Sequence, residues 1–133
     1  MISHITSFRV RYAETDRMGY LYYGNYATYF EVGRVELLRS LGISYRELED
    51  KGILLPVRDF SVRYIKPAYY DELLSLETTV EELSNVRIAF DYKLKNDAGE
   101  LLTTAKTTLV FVDKVSGKPV SPPSEIAAAL ADH

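Results

Sequence analysis

The sequence contains no cysteine and only two histidines, His4 and His133, which stand next to the ends of the chain. The lack of cysteine excludes disulfide bonds, thiolate metal sites and a cysteine nucleophile, and it is typical of a reducing compartment. Because chain ends are often loosely held, the two histidines argue against a Ser-His-Asp or Cys-His catalytic arrangement. A metal site would need several His, Cys or grouped carboxylates, so we predict neither a metal nor a cofactor.

Long apolar segments and common nucleotide or esterase motifs are also missing. No apolar run approaches the roughly 20 residues that span a bilayer, and residues 1–4 have neither the basic nor the apolar section of a signal peptide. Gly-x-Ser-x-Gly, Gly-x-Gly-x-x-Gly and Walker-type loops do not occur, which removes the usual esterase, dinucleotide and NTPase interpretations. We therefore expect a cytoplasmic protein without a membrane span.

The charge balance is slightly acidic, with 16 Lys and Arg against 19 Asp and Glu and a net charge of -3. The chain thus lacks the broad basic face that binds a phosphate backbone, and we do not expect a nucleic-acid partner. Hydrophobic residues make up 47% of the sequence, which is ordinary for a folded globular protein. A length of 133 residues fits a single domain over residues 1–133.

Apolar and polar residues alternate in several segments, which is the pattern of strands with one buried face. The predicted strands are Phe8–Tyr12, Phe60–Tyr64, Leu74–Glu81, Arg87–Lys95 and Leu101–Val112. The sequence Asn-Asp-Ala-Gly at residues 96–99 is turn chemistry that joins the last two strands in a hairpin.

Helical spacing of apolar residues predicts one long helix that follows an N-cap at Asn25 and stops at Gly42, with a length of about 25 Å. A short helix should begin at Ser44, because Glu47 completes a capping box with it. A terminal helix is predicted over Ser124–Ala131.

This order of elements favours the α+β class, with an antiparallel sheet and one helix laid on it. One helix leaves part of the sheet surface and an edge uncovered, so we expect a homodimer that completes the cover.

The polar stretch between the first strand and the long helix carries the candidate chemistry. Glu14 and Asp16 stand on a loop between two rigid elements, where reactive side chains are often mounted. Gly24 and Asn25 follow at the start of the helix, where free amide groups and the helix dipole stabilise developing negative charge. The spacing by itself equally permits an interpretation in which Asp16 only forms an Asx turn and Asn25 only caps the helix.

The segments RYAETDRMG (residues 11–19), YYGNY (22–26) and FExxR (30–34) resemble the signature of 4-hydroxybenzoyl-CoA thioesterase-like proteins. Within this family, the chain resembles the Tol-Pal-associated acyl-CoA thioesterases. Later segments also resemble this family, namely LPV (55–57), YIKPA (64–68), YDEL (70–73) and VD (112–113) before GKP (117–119). The resemblance covers roughly Ser7 to Pro123.

The resemblance implies a hotdog fold, in which an antiparallel sheet of about five strands wraps around one long helix, and dimers that often pair into tetramers. It implies acyl-CoA thioesterase activity with the catalytic aspartate at Asp16, whereas Glu14 is a preceding acid that is not the nucleophile. The backbone N–H that polarises the thioester carbonyl maps to Tyr23 or Gly24, with Asn25 beside them at the substrate.

A thioester carbonyl is electrophilic and its thiolate leaves readily, so one carboxylate with helix-terminal N–H groups can suffice. Asp16 could form a mixed anhydride or deprotonate water, and the sequence does not discriminate between these roles. Glu31 on the helix is an alternative acid, although an ion pair with Arg34 is its simpler role.

The two ends of the substrate need different surroundings. The phosphates of CoA should meet cations on or beside the strands, for which we predict Arg63, Lys66 and Arg87. The acyl group should meet apolar and aromatic side chains such as Tyr20, Tyr22 and Tyr29.

Two other functions compete with thioester hydrolysis. A hotdog dehydratase normally uses a histidine with an acid, and the helix region contains no histidine. A non-catalytic module that binds acyl-CoA or acyl-carrier protein would keep the fold without turnover. The release of free thiol from acyl-CoA distinguishes that module from an enzyme.

Overall fold

The computed structural model describes residues 2–131, which form a five-stranded antiparallel sheet, a small two-stranded sheet and three α-helices. In chain order the elements are β1 (Ser3–Arg9), α1 (Tyr26–Ser40), α2 (Tyr45–Asp50), β2 (Ile53–Leu54), β3 (Val57–Tyr64), β4 (Leu73–Ser84), β5 (Arg87–Lys95), β6 (Leu101–Val110), β7 (Val112–Asp113) and α3 (Ser124–Ala131). The larger sheet has the order β1-β4-β5-β6-β3, and each neighbouring pair is antiparallel. The predicted α+β class is confirmed.

The long helix α1 has nearly the predicted bounds. Asn25 occupies the N-cap position, but its side chain does not accept a capping hydrogen bond. The helix ends at Ser40 after 15 residues, or about 22 Å, and Gly42 follows with a φ of +80°. This left-handed residue lets the N–H of Ile43 return to the carbonyl of Leu38 at 2.9 Å, which ends the helix as the glycine predicts.

The inner face of α1 packs very closely on the sheet. Gly33 is buried, and a Cβ atom there would lie 2.4 Å from Oγ1 of Thr78 and 2.7 Å from Cδ2 of Leu76 on β4. Phe30 is fully buried, and its ring centroid lies 4.7 Å from that of Tyr92 on β5. The hydrophobic core therefore lies between α1 and the central strands.

The two shorter helices confirm their predicted positions. Ser44 is the N-cap of α2, and its Oγ accepts a hydrogen bond from the N–H of Glu47 at 3.4 Å. Helix α3 has the predicted bounds and buries Ile126.

The first strand lies earlier in the chain than the predicted Phe8–Tyr12. Strand β1 ends at Arg9, where its partner β4 begins at Leu73. One further backbone hydrogen bond joins the N–H of Val10 to the carbonyl of Glu72 at 3.0 Å. The chain then leaves the sheet and forms a 3₁₀ turn over Tyr12–Glu14, so Tyr12 is 78% exposed and does not lie on the buried face.

The last predicted strand, Leu101–Val112, is divided in the structure. Strand β6 ends at Val110, and β7 pairs instead with β2 in the two-stranded sheet, which the sequence analysis did not predict. Strands of two residues are too short to show a periodic pattern. The predicted hairpin between β5 and β6 is confirmed, with Gly99 at a φ of +83°.

Strand β3 forms one edge of the sheet. Phe60 and Tyr64 point toward α1, with ring centroids 5.9 Å from Phe30 and 4.9 Å from Tyr26. They nevertheless remain 44% and 50% exposed, because the sheet ends at this strand. Among residues 2–131, no helix is both long and apolar enough to cross a membrane.

Candidate active site

Asp16 lies in a tight loop between the 3₁₀ turn that follows β1 and the start of α1. Thr15 and Leu21 form a β-bridge across the base of this loop. Inside it the N–H of Asp16 donates to the carbonyl of Tyr20 at 2.8 Å, and the N–H of Gly19 donates to the carbonyl of Asp16 at 3.0 Å. Gly19 has a φ of +80°, a conformation that glycine adopts without strain.

The two oxygens of the Asp16 carboxylate have different surroundings. Oδ1 accepts hydrogen bonds from the N–H groups of Met18 at 2.9 Å and Tyr20 at 3.2 Å. Oδ2 accepts no hydrogen bond from the described part of the chain, and the residue lines an open cleft. The Asx turn considered from the sequence is thus present, but it uses only one of the two oxygens.

Glu14, two residues earlier, is the fully bonded acid of the loop. Its Oε2 accepts from Nη2 of Arg11 at 2.6 Å, and its Oε1 accepts from the N–H of Arg11 at 2.9 Å and from the hydroxyl of Tyr29 at 2.8 Å. Partial burial opposes the charge of this carboxyl, but the bonds from Arg11 and Tyr29 outweigh it and lower the pKa of Glu14. The arrangement holds the loop and leaves no oxygen of Glu14 unbonded.

The backbone of Glu14 also connects the loop to the start of α1. Its carbonyl accepts from the N–H of Tyr22 at 2.8 Å and from Nδ2 of Asn25 at 2.9 Å. The side chain of Asn25 therefore ties the helix start to the acid-bearing loop and does not cap the helix. The N–H of Leu21 donates to the carbonyl of Ala68 at 2.7 Å, which fixes the loop to the segment before β4.

The first N–H groups of the helical segment lack backbone acceptors. A 3₁₀ turn over Tyr23–Asn25 precedes α1, and its first hydrogen bond runs from the N–H of Asn25 to the carbonyl of Tyr22 at 2.9 Å. Within residues 2–131, the N–H groups of Tyr23 and Gly24 donate to no acceptor. Such groups at a helix start favour negative charge.

Gly24 packs beneath an aromatic ring. A Cβ at this position would lie 2.5 Å from the ring of Tyr22, so glycine permits the observed path of the backbone. Tyr23 lines the same cleft as Asp16, whereas Gly24 and Asn25 are not part of its wall.

The cleft has a volume of about 300 Å³ and lies between the Asp16 loop, the start of α1 and the end of β3. Its wall is largely aromatic and apolar, and it consists of Asp16, Met18, Tyr20, Leu21, Tyr23, Tyr26, Tyr64, Ile65, Lys66 and Pro67. This size and composition are typical of sites for small organic groups. Burial, with a smaller effect of the Asp16 charge, raises the pKa of Tyr26.

Only one of the three tyrosines predicted for the acyl group lies in this wall. Tyr20 lines the cleft, but Tyr22 is exposed and Tyr29 is buried with its hydroxyl on Glu14. Tyr26 and Tyr64 line the cleft instead. Their helical and strand periodicity indicated burial, which does not distinguish a core residue from a cleft residue.

The three cations predicted for CoA lie in separate places within one protomer. Lys66 lines the cleft and forms an ion pair with Glu100. Arg63 lies on the outer face of the sheet, which is turned away from the cleft, in a groove with Lys106. Arg87 also lies on that outer face, on β5. It is six residues along this strand from the position aligned with Arg63, so the two arginines are about 20 Å apart.

Glu31, the alternative acid, does not line the Asp16 cleft and borders a different cavity. The predicted ion pair with Arg34 is not formed within residues 2–131. No three His, Asp or Glu side chains in this described range are grouped to hold a metal ion. His4 lies on β1, and His133 falls outside the described residues.

Known proteins share both the sequence and the fold. The chain is 42% identical over 111 residues to YneP of Bacillus subtilis, which covers 84% of this chain and 80% of that protein. It is 34% identical over 123 residues to YbgC of Haemophilus influenzae, named an acyl-CoA thioesterase, with 92% and 90% covered. A crystal structure of a DHNA-CoA thioesterase from Staphylococcus aureus superposes with a TM-score of 0.95 at 40% identity, covering 99% of this chain and 91% of that one.

These likenesses confirm the hotdog fold and the resemblance to 4-hydroxybenzoyl-CoA thioesterase-like proteins, while the assignment to the Tol-Pal-associated branch stays a prediction. Residues 10–130 match the family described as the Thioesterase-like superfamily, and the chain belongs to that family.

Proposed function

We propose that the protein is an acyl-CoA thioesterase that hydrolyses an acyl-CoA thioester to a free acid and CoA, with Asp16 as the reacting carboxylate. The observation that supports this proposal is that Asp16 and Tyr23 line the same apolar cleft, while Oδ2 of Asp16 and the N–H of Tyr23 have no hydrogen-bond partner within residues 2–131. A carboxylate beside helix-start N–H groups suits acyl transfer, because it supplies an attacking or basic oxygen next to donors for the developing oxyanion. The names of the relatives from Haemophilus influenzae and Staphylococcus aureus support the same activity.

Two routes are consistent with this arrangement. In the first, Oδ2 of Asp16 attacks the thioester carbon, the C–S bond breaks, the CoA thiolate leaves, and water then hydrolyses the mixed anhydride. In the second, the carboxylate accepts a proton from water as the water oxygen attacks the same carbon. The C–S bond then breaks, and the CoA thiolate takes that proton from Asp16 and leaves as the thiol, which restores the carboxylate. In both routes the N–H groups of Tyr23 and Gly24 stabilise the negative charge that develops on the carbonyl oxygen.

The apolar and aromatic cleft wall supports an apolar or aromatic acyl group at this site, and we propose Lys66, which lines the same cleft, as the cation that meets a CoA phosphate. Arg63 lies on the face of the sheet away from the cleft, and Arg87 lies about 20 Å from Arg63, so we propose that they serve CoA across a homodimer or tetramer. Asn25 contributes by holding the helix start against the loop. We propose acyl-CoA and further copies of this chain as the partners. We also propose that the protein is cytoplasmic and that residues 1–133 form one domain.

Replacing Asp16 by Asn tests the proposal, because the change keeps the side-chain size and removes the reacting oxygen. Thiol release from a panel of aromatic, short and long acyl-CoA esters should show kcat reduced about 10²- to 10⁴-fold, with folding and CoA binding retained. Glu14→Gln is the matched control, since its carboxylate is already fully bonded, and it should reduce kcat far less.

Three outcomes would contradict the proposal. Near-normal kcat in Asp16→Asn together with a loss of activity in Glu31→Gln would move the reacting acid onto α1. Full activity in both Asp16→Asn and Glu31→Gln would show that neither carboxylate takes part in the reaction. Binding of acyl-CoA by the parent protein with thiol release no faster than in buffer would favour the non-catalytic binding module.

A further inference from the structure

Tyr29 carries a buried hydroxyl from α1 to the loop that bears Asp16. The residue is only 2% exposed, and its ring packs against Phe8 of β1, with 4.5 Å between the ring centroids. The hydroxyl donates to Oε1 of Glu14 at 2.8 Å. Burial and the neighbouring Glu14 carboxylate raise the pKa of Tyr29, so the phenol stays protonated near neutral pH and remains a donor. The ring contacts need no hydroxyl, so the bond to Glu14 is a separate function of this side chain.

Glu14 is joined to the start of α1 at two different points. Nδ2 of Asn25 donates to its backbone carbonyl at 2.9 Å, and the hydroxyl of Tyr29 donates to its carboxylate. Asn25 and Tyr29 are four residues apart, and Asn25 already has helical backbone angles, so both side chains leave the same side of the helix start. One bond alone would let Glu14 turn about it, whereas two bonds to different groups of one residue fix both its position and its orientation.

This double attachment lies between the two parts of the candidate site. On one side, Asp16 follows Glu14 by two residues. On the other side, Tyr23 and Gly24, whose N–H groups donate to no acceptor within residues 2–131, directly precede Asn25. The position of the Asp16 carboxylate relative to these donors therefore depends on how firmly Glu14 is attached to the helix start.

We propose that Tyr29 is a positioning residue for the reaction of Asp16, and that its hydroxyl acts through the carboxylate of Glu14. The hydroxyl holds α1 and the loop in a fixed relative position, so that the Asp16 carboxylate and the N–H groups at the helix start meet the same thioester carbonyl. Tyr29 does not line the cleft, so its hydroxyl affects the rate of the chemical step and not the binding of substrate. This role rests on the proposed function, whereas the double attachment rests only on the hydrogen bonds.

Thiol release from acyl-CoA esters by Tyr29→Phe tests the inference, because the change removes the hydroxyl and keeps the ring. A misplacement of about 1 Å at a reacting group can lower a rate about 10²-fold, so the loss of one of two attachments should lower kcat about tenfold, with KM unchanged. Tyr92→Phe is the matched control, since Tyr92 is 1% exposed and its hydroxyl is hydrogen-bonded to Oγ1 of Thr107 on β6 at 2.7 Å. It should keep the parent kcat at a temperature where circular dichroism shows both variants folded.

Substitutions at Glu14 test whether the hydroxyl acts through this residue. Glu14→Ala removes the acceptor and should lower kcat at least as much as Tyr29→Phe does. Adding Tyr29→Phe to Glu14→Ala should then cause no further loss, because the bond is already absent. If Tyr29→Phe does not fold, Glu14→Ala is compared with Glu14→Gln, which keeps an oxygen that accepts from the hydroxyl and should therefore have the higher kcat.

An unchanged kcat in Tyr29→Phe, in an enzyme that Asp16→Asn inactivates, would overturn the inference. So would a raised KM at unchanged kcat, which would place the hydroxyl at the substrate, or a further loss of kcat in the double variant. If the parent protein releases no thiol, hydrogen exchange at the N–H of Tyr22, which donates to the carbonyl of Glu14 at 2.8 Å, measures the attachment. Faster exchange in Tyr29→Phe than in Tyr92→Phe would then uphold the attachment and refute only the proposed function, whereas equal exchange would refute both.

Discussion

At the scale of single residues, Glu14 and Asp16 differ in how many hydrogen bonds their carboxylates accept. Glu14 receives three, from Arg11 and Tyr29, and both of its oxygens are engaged. Asp16, which lines the cleft, receives two, both at Oδ1, and its Oδ2 receives none from residues 2–131. Of these two acids, which are two residues apart, Glu14 holds the loop and Asp16 keeps one oxygen free for a ligand, and the proposed role of Asp16 depends on this difference.

Glu14 should make the stability of the protein depend on pH in the acidic range. Its pKa is lowered in the folded state, so its contribution is fully present above the unfolded value of about 4.3 and is lost as pH falls through the folded pKa. Glu14→Gln should therefore have a lower melting temperature than the parent protein at pH 6, and the difference should shrink as the pH falls below about 4.

Thermal unfolding followed by circular dichroism between pH 3 and about 7 measures this difference. Glu125→Gln is the control, because Glu125 pairs with Lys51 on the surface, where solvent screens the interaction. A gap between the parent and Glu14→Gln that stays constant with pH would show that the carboxylate charge does not stabilise the loop.

At the scale of elements, the distance between α1 and β4 depends on one glycine. The space beside Gly33 is filled by Thr78 and Leu76, so any side chain there must displace these side chains or move the helix away from the sheet. The 3₁₀ turn with the free N–H groups leads directly into this helix, so the separation of the helix from the sheet affects where those groups lie relative to the Asp16 loop. Packing in the core thereby positions the candidate site.

Gly33→Ala should destabilise the protein although alanine favours helices. Overpacking a filled core costs about 1–3 kcal/mol, and the gain in helix propensity offsets about 1 kcal/mol of it. Chemical denaturation should thus report a loss of up to about 2 kcal/mol, with Val32→Ala, an exposed position on the same helix, within about 0.5 kcal/mol of the parent. A stability of Gly33→Ala higher than that of the parent would mean that the core accommodates the added methyl group without loss.

At the scale of the whole molecule, the exposed apolar edge at β3 is the surface that best suits binding of a second copy of the chain. Val57, Phe60, Tyr64 and Ile65 are each between 44% and 50% exposed, and they lie along or directly after an unpaired edge strand. Exposed apolar edge strands are templates for pairing with another chain. We therefore propose this edge as the interface of the homodimer that the sequence predicts.

Light scattering at micromolar concentration should give a mass at least twice the 15.1 kDa of one protomer, with little dependence on salt. Phe60→Lys should shift the protein toward the monomer, because the edge strand then carries a charge. Val115→Lys is the matched control, since Val115 is 94% exposed in the turn after β7, and it should leave the mass unchanged. A parent protein that scatters as a monomer would refute the assembly.

The sequence alone determined the features that depend on neighbouring residues. Local periodicity and turn chemistry were sufficient for α1, the stop at Gly42, the capping of α2 by Ser44 and the β5–β6 hairpin, because each is encoded within a short segment. The resemblance to known thioesterases added the hotdog fold and pointed to Asp16, which a spacing argument could not separate from a simple Asx turn.

The tertiary structure decided what depends on residues far apart in the chain. Strand β1 ends where β4 begins, and β2 exists only because β7 lies beside it, so neither boundary is a property of its own segment. Tyr26 and Tyr64 meet in the cleft wall, 4.9 Å apart, although 38 positions separate them in sequence. The physical reason is that local patterns determine which face of an element is apolar, whereas long-range packing determines what that face contacts and which carboxylate oxygen accepts no hydrogen bond.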